Sequence, residues 1–177
     1  ESFRLLKYAQ IALYSVIRVD AAYLPTKQPT LKSNFSQEDI VNSGILKNEV
    51  FLNYIIKNKL KVTSVGVNLC TASDINDYHI DTPIVGNMTA LYYANLTWGT
   101  NWEGETHLSS DARDIDISCS FIPGRLVIFD GTIPHKSSQP SFNAEEYRYV
   151  YVIKMICDKD PRWEAPLSEG TTTTLTE

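Results

Sequence analysis

Apolar and polar positions divide the chain into two regimes. Phe3, Leu6, Leu13 and Ile17 recur at helical spacing, which predicts a helix within residues 2–19, packed on the outside of a sheet. The stretch 25–33, rich in Pro, Thr and Lys, reads as a loop. Ser36 has the character of an N-cap, with Asp39 three residues on. Ile40, Val41, Leu46, Val50, Phe51, Tyr54 and Ile55 then trace a second amphipathic helical stretch, interrupted at Gly44. After Lys59 the period shortens to two. Val65, Val67 and Leu69 alternate with smaller or polar residues as in a half-buried strand, and further strands are expected at 88–95, 117–122, 125–130 and 147–156. Turn residues separate them at Thr82-Pro83, Gly86-Asn87, Gly99, Gly104, Pro123-Gly124 and Gly131. Helices followed by many short strands predict an α+β chain, with N-terminal helices packed on one sheet of a β-sandwich or jelly-roll core. The segment from Leu167 to Glu177, with four threonines in a row, reads as a frayed end or an extended strap.

Size and composition narrow this picture. A chain of 177 residues fits one domain, with a helical part at about 1–60 and a jelly-roll core at about 61–160. Its 43% hydrophobic and 21% charged residues are those of an ordinary globular protein. The net charge of -5, with no dense basic patch, argues against a reader of nucleic-acid phosphates. No apolar run reaches the length of a membrane span. No signal-peptide pattern is present at Glu1, although a mature chain can have lost one, and a cytoplasmic location is expected. Cys70, Cys119 and Cys157 match no zinc spacing and read as buried reduced thiols.

The candidate chemistry lies in His79-Ile80-Asp81 and in His135, which follows Asp81 after 53 intervening residues. On an extended strand residues i and i+2 point to the same face, so His79 and Asp81 can share one metal while Ile80 turns away into packing. His135 has to come from another strand lying alongside, and in a jelly roll sequence-distant strands are neighbours. Two imidazoles and one carboxylate form the facial set of non-haem iron(II) sites, which leaves half the coordination sphere open. An HxD triplet arises by chance in many chains, and the bland alternative is a surface His79 beside a turn. His107 is the one other histidine and the rival third ligand; its simpler reading is an exposed residue on a strand.

The residues around this triplet carry a resemblance. Tyr92-Tyr93 and Asn95, Gly104-Glu105-Thr106, Gly124-Arg125-Leu126-Val127-Ile128-Phe129, His135 and Arg148 follow His79 and Asp81 in order. From about residue 62 to 156 the chain resembles the 2-oxoglutarate and iron(II)-dependent oxygenases, specifically their prolyl-4-hydroxylase-like branch. The resemblance implies a double-stranded β-helix, or cupin-like jelly roll, holding iron(II) through His79, Asp81 and His135 near one open end. It implies 2-oxoglutarate as co-substrate and O2 as oxidant, with succinate and CO2 released as a substrate is hydroxylated. A carboxylate at Asp81 sets the chain apart from related halogenases, which lack it. Arg148 matches the basic residue that pairs with the distal carboxylate of 2-oxoglutarate, and a guanidinium fork suits that task. It stands thirteen positions after His135, a little longer than the family spacing. Lys154 shares its strand parity and is the fallback, whereas Arg125 sits at a turn. Tyr93 matches the tyrosine whose hydroxyl reaches the same carboxylate; a core aromatic is the alternative. Tyr92 faces the other way.

Trp98 and Trp102 lie on a loop that either lines the cavity mouth, stacking on a substrate, or covers the sheet edge. Peptidyl proline, a free amino acid or another small molecule all remain open as substrates. Two other functions stay alive: a catalytically silent jelly-roll binding module and a metal-dependent cupin isomerase.

Overall fold

A computed structural model describes residues 48–110, 112 and 114–163. The helix expected within residues 2–19, the cap at Ser36 and the segment 167–177 lie outside the described residues. The described part of the second helical stretch forms α1 (Glu49–Lys57), its beginning with Ile40, Val41, Gly44 and Leu46 lying outside the described residues. The cap of α1 is Asn48, whose side chain accepts from the Phe51 amide at 3.0 Å. Phe51 and Ile55, one turn apart, are its buried residues.

Seven strands follow: β1 (Leu60–Cys70), β2 (Met88–Tyr93), β3 (Thr106–Ser109), β4 (Asp116–Cys119), β5 (Leu126–Asp130), β6 (His135–Ser137) and β7 (Arg148–Cys157). All pairings are antiparallel. The larger sheet has the order β1-β7-β2-β5 and the smaller β4-β3-β6. An isolated antiparallel bridge between His79 and His135 continues the smaller sheet beyond β6. The chain thus passes repeatedly from one sheet to the other, the winding of a jelly roll.

Strand alternation builds two apolar layers. Val65, Ala90, Tyr92, Leu126, Ile128, Ile153 and Met155 face α1. Leu91, Tyr93, Val127, Phe129 and Val150 face inward, against Leu108, Cys119, Phe121 and Ile133. A strand covered on both faces reads as an unbroken apolar run, which is why Leu126 to Phe129 shows no alternation.

Three expectations need correction. The strands β3 and β6, of four and three residues, are too short and too polar to announce themselves by period. The strand expected at 88–95 ends at Tyr93, because Asn95 takes over the pairing: its Oδ1 accepts from the Tyr149 amide at 2.8 Å. Residues 79–81 form no full strand. The chain turns at Thr82-Pro83, where proline has no N–H to extend a ladder. Ile80 is 49% exposed and not in packing, since among the described residues no layer covers the outside of the smaller sheet. All three cysteines are free and buried, as expected. No described helix is long and apolar enough to cross a membrane.

Candidate metal centre and cleft

The short strand β6 turns His135 inward, 5% exposed and edge-on to Phe129 with ring centroids 4.6 Å apart. Backbone pairing places His79 beside it: the His79 amide donates to the His135 carbonyl at 3.0 Å, and the reverse bond is 2.9 Å. Asp81 is fixed by its amide, which donates to the Gly131 carbonyl at 2.8 Å. A Cβ at Gly131 would lie 2.7 Å from Thr82 Cγ2, so this close approach needs glycine.

Each imidazole is oriented by its own backbone. His79 Nδ1 lies 3.1 Å from the Asp77 carbonyl and His135 Nδ1 2.9 Å from that of Ile133. A carbonyl only accepts, so each Nδ1 carries a proton, and in the neutral ring it is Nε2 that presents the lone pair. His79 Nε2 is 3.8 Å from Asp81 Oδ1, and His135 Nε2 is 3.5 Å from Asp81 Oδ2. One donor atom from each of the three residues lies within 4.8 Å of the others. Ligands at about 2.1 Å from a common ion stand about 3–4 Å apart, so the cluster needs little adjustment to take one. Burial pushes His135 below the usual imidazole range, which favours the neutral, ligating form. For Asp81, burial raises the carboxyl, but the Lys154 ammonium and the Thr89 hydroxyl outweigh it and leave the group below its ordinary value. Thr89 donates to Asp81 Oδ2 at 2.5 Å, and Lys154 Nζ contacts the same oxygen.

The cluster sits in a cleft of about 260 Å³ between the sheets. Ser64, Gly66 and Asn68 of β1 and Arg148, Val150, Val152 and Lys154 of β7 form one wall. Arg148 is 2% exposed, and burial holds its guanidinium below the ordinary value. Its Nε donates to the Gly104 carbonyl at 2.7 Å and its Nη2 to Thr106 Oγ1 at 3.1 Å. Among the described residues it has no ion-pair partner, although it borders the cleft. A buried cation without a carboxylate beside it is costly unless a counter-charge reaches it.

No protein-family model and no curated protein matches the sequence. Solved structures do. A prolyl hydroxylase from Trichoplax adhaerens, in complex with a hypoxia inducible factor oxygen degradation domain peptide fragment, superposes with a TM-score of 0.52 at 18% identity, over 84% of this chain and 72% of that one. A 2OG-Fe(II) oxygenase family oxidoreductase from Burkholderia pseudomallei gives 0.51 at 12% identity, over 78% of this chain and 59% of that one. A prolyl 4-hydroxylase from Phytophthora capsici gives 0.51 at 16% identity, over 75% and 49%. The fold is that of the 2-oxoglutarate and iron(II) oxygenases. At these identities the likeness is one of architecture, and the chain spans only about three fifths and half of the last two relatives.

In this oxygenase fold the expected site residues part company. His79, Asp81, His135, Arg148 and Lys154 line one cleft. Tyr93 does not line it: fully buried and stacked on Phe121 at 4.5 Å, it donates to Thr106 Oγ1 at 2.8 Å. It therefore bears on the cleft through Thr106, the same hydroxyl that Arg148 grips. Trp98 and Trp102 also lie outside the cleft lining. They meet edge to face at 5.3 Å, and Trp98 packs on Phe121 while donating to the Glu103 carbonyl. His107 points out of β3, with Nε2 2.7 Å from Ser138 Oγ, and is half-buried where exposure was expected. Arg125 donates to the Ser120 carbonyl at the turn. Sequence reasoning missed Ser64, Asn68 and Thr89, and held Thr106 only as part of the Gly104-Glu105-Thr106 motif, without a role. Thr89 shares parity with Leu91 and Tyr93, a signal available only once the inward face of β2 is known.

Proposed function

We propose that the protein is a 2-oxoglutarate- and iron(II)-dependent dioxygenase that hydroxylates a prolyl, amino-acid or other small substrate, releasing succinate and CO2. The observation that carries this reading is one cleft holding two features together. Two imidazoles and a carboxylate converge at one end, and a buried, unpaired guanidinium stands toward the other.

His79, Asp81 and His135 would hold the iron(II), a donor set suited to that ion. When bound, the metal supplies activation of O2 coupled to oxidation of 2-oxoglutarate. The protein's own residues do the rest. Arg148 receives the distal carboxylate of 2-oxoglutarate, with Thr106 beside it and Tyr93 fixing Thr106. Lys154 is the weaker candidate for that role, because its ammonium lies on Asp81, at the metal end. Leu91, Val150 and Val152 give the cleft its apolar lining. Asp81 fills a position that would have to be vacant for a halide, so the expected product gains oxygen and not halogen. The described core, 60–157, is proposed to act as one oxygenase domain with the rest of the chain.

Anaerobic addition of iron(II) and 2-oxoglutarate tests the reading. A weak visible charge-transfer band is expected, followed by succinate release on admitting oxygen with a panel of proline-containing peptides and free amino acids. Metal binding without the band would favour a cupin isomerase. Binding of neither would leave a silent binding module.

A further inference from the structure

We propose that Lys154 anchors an anionic group of the primary substrate, a carboxylate above all, at the metal end of the cleft. This rests on the oxygenase reading and narrows its substrate to small molecules carrying a free carboxylate, such as unblocked amino acids. A residue inside a polypeptide has no free α-carboxylate to offer Lys154, only an Asp or Glu side chain.

Lys154 lies on β7, on the same face as Arg148, Val150 and Val152, and its side chain is 33% exposed. An ammonium has three N–H donors. Asp81 Oδ2 is the single acceptor the ammonium meets among the described residues, which leaves donors free for the cleft. That oxygen is shared with the Thr89 hydroxyl, whereas Asp81 Oδ1 faces His79 Nε2. Lys154 can therefore keep its hold on Asp81 and still reach a ligand. Ser64 is its register partner on β1 and borders the same cleft; among the described residues its hydroxyl is unpartnered. Asn68 continues this polar strip along β1.

Charge points the same way. Asp81 is the one acidic side chain lining the cleft, against Arg148 and Lys154. Lys136 also borders it, but its ammonium lies over the Tyr78 ring, 4.8 Å from the centroid. A divalent ion adds two positive charges and 2-oxoglutarate brings two negative ones, so with Lys136 left aside the loaded cleft retains one positive charge, and with it two. An incoming carboxylate offsets one such charge. Arg148, sealed at the other end, is taken by the co-substrate, and Lys154 is the cation still open.

The test uses protein loaded with nickel(II) and 2-oxoglutarate, which does not turn over. Free L-amino acids and short aliphatic acids are titrated calorimetrically, each beside its neutral primary amide. At least one acid is expected to bind about tenfold or more tighter than its amide, the worth of a charge-assisted hydrogen bond. Lys154→Gln should collapse that preference to within about twofold, and Lys154→Arg should keep most of it. Nickel stoichiometry and 2-oxoglutarate affinity are measured on every variant. If no acid is preferred to its amide, or if the preference survives Lys154→Gln, the anchor is overturned while the oxygenase reading stands. Wild-type protein that fails to take up nickel and 2-oxoglutarate would bring down both.

Discussion

Asp81 meets four groups at once, with His135 Nε2 3.5 Å from its Oδ2. Its Oδ1 faces His79, and its Oδ2 takes Thr89 and Lys154. Asp81→Gly removes a donor from the proposed metal set and strands the Lys154 ammonium. Iron stoichiometry measured anaerobically should fall close to zero, and hydroxylation with it; full iron retention would take Asp81 out of the ligand set. Arg148→Ala should act differently. Truncating one partner of a buried charge pair costs about 3–5 kcal/mol, roughly a hundredfold or more in affinity. We expect that loss in 2-oxoglutarate binding, with iron binding intact. Arg148→Lys should recover little, since the planar guanidinium sets Nε on Gly104 and Nη2 on Thr106 in one fixed fork and a point ammonium loses that geometry. An unchanged 2-oxoglutarate affinity in Arg148→Ala would reassign the carboxylate. The triplet was legible in the sequence because i and i+2 share a face, and Arg148 because an aligned motif leads to it. Lys154 could be placed only by parity. Its contact with Asp81 depends on how two strands and a turn come together, which no local pattern encodes.

Secondary-structure elements were legible in proportion to their length and apolar content. β2, β5 and β7 alternate or run apolar over five residues or more, and their expected spans differ from the observed ones by a residue or two. β3 and β6 carry Thr106 and His135, yet polar residues and brevity hide both. The turn before β3 matters as much as the strand. Gly104 has φ +87°, and a Cβ there would stand 3.2 Å from both Arg148 Cδ and Trp98 Cζ2. Gly104→Ala should lower stability by about 1–3 kcal/mol, because an L side chain is strained at that φ. It should also push Arg148 off the Gly104 carbonyl. The check is 2-oxoglutarate affinity on folded, metal-loaded protein. Normal affinity at a reduced melting temperature would mean that the turn shapes the fold and leaves Arg148 in place.

At the scale of the molecule, the larger sheet has α1 on one face and the inner core on the other, whereas residues 79–81 hang on the edge of the smaller sheet by a few backbone bonds. A metal bound by His79, Asp81 and His135 would tie that edge to β6. Loading should therefore stabilise the whole domain: at a free metal concentration of 100 Kd the linkage is about 2.7 kcal/mol, or roughly 5–10 °C in a protein of this size. Chelation should return the melting temperature to the metal-free value. A melt indifferent to iron, nickel and zinc would show that the cluster takes none of them.

The paired backbones of His79 and His135 have one more consequence. Each residue's amide proton is held by the other's carbonyl, so the two amides can exchange with solvent only when the strands part. Parting the strands also separates the two imidazoles. Deuterium uptake at these two amides should thus keep time with metal residence. It should be fast in the bare protein and slow by the same factor at both positions once the ion is bound.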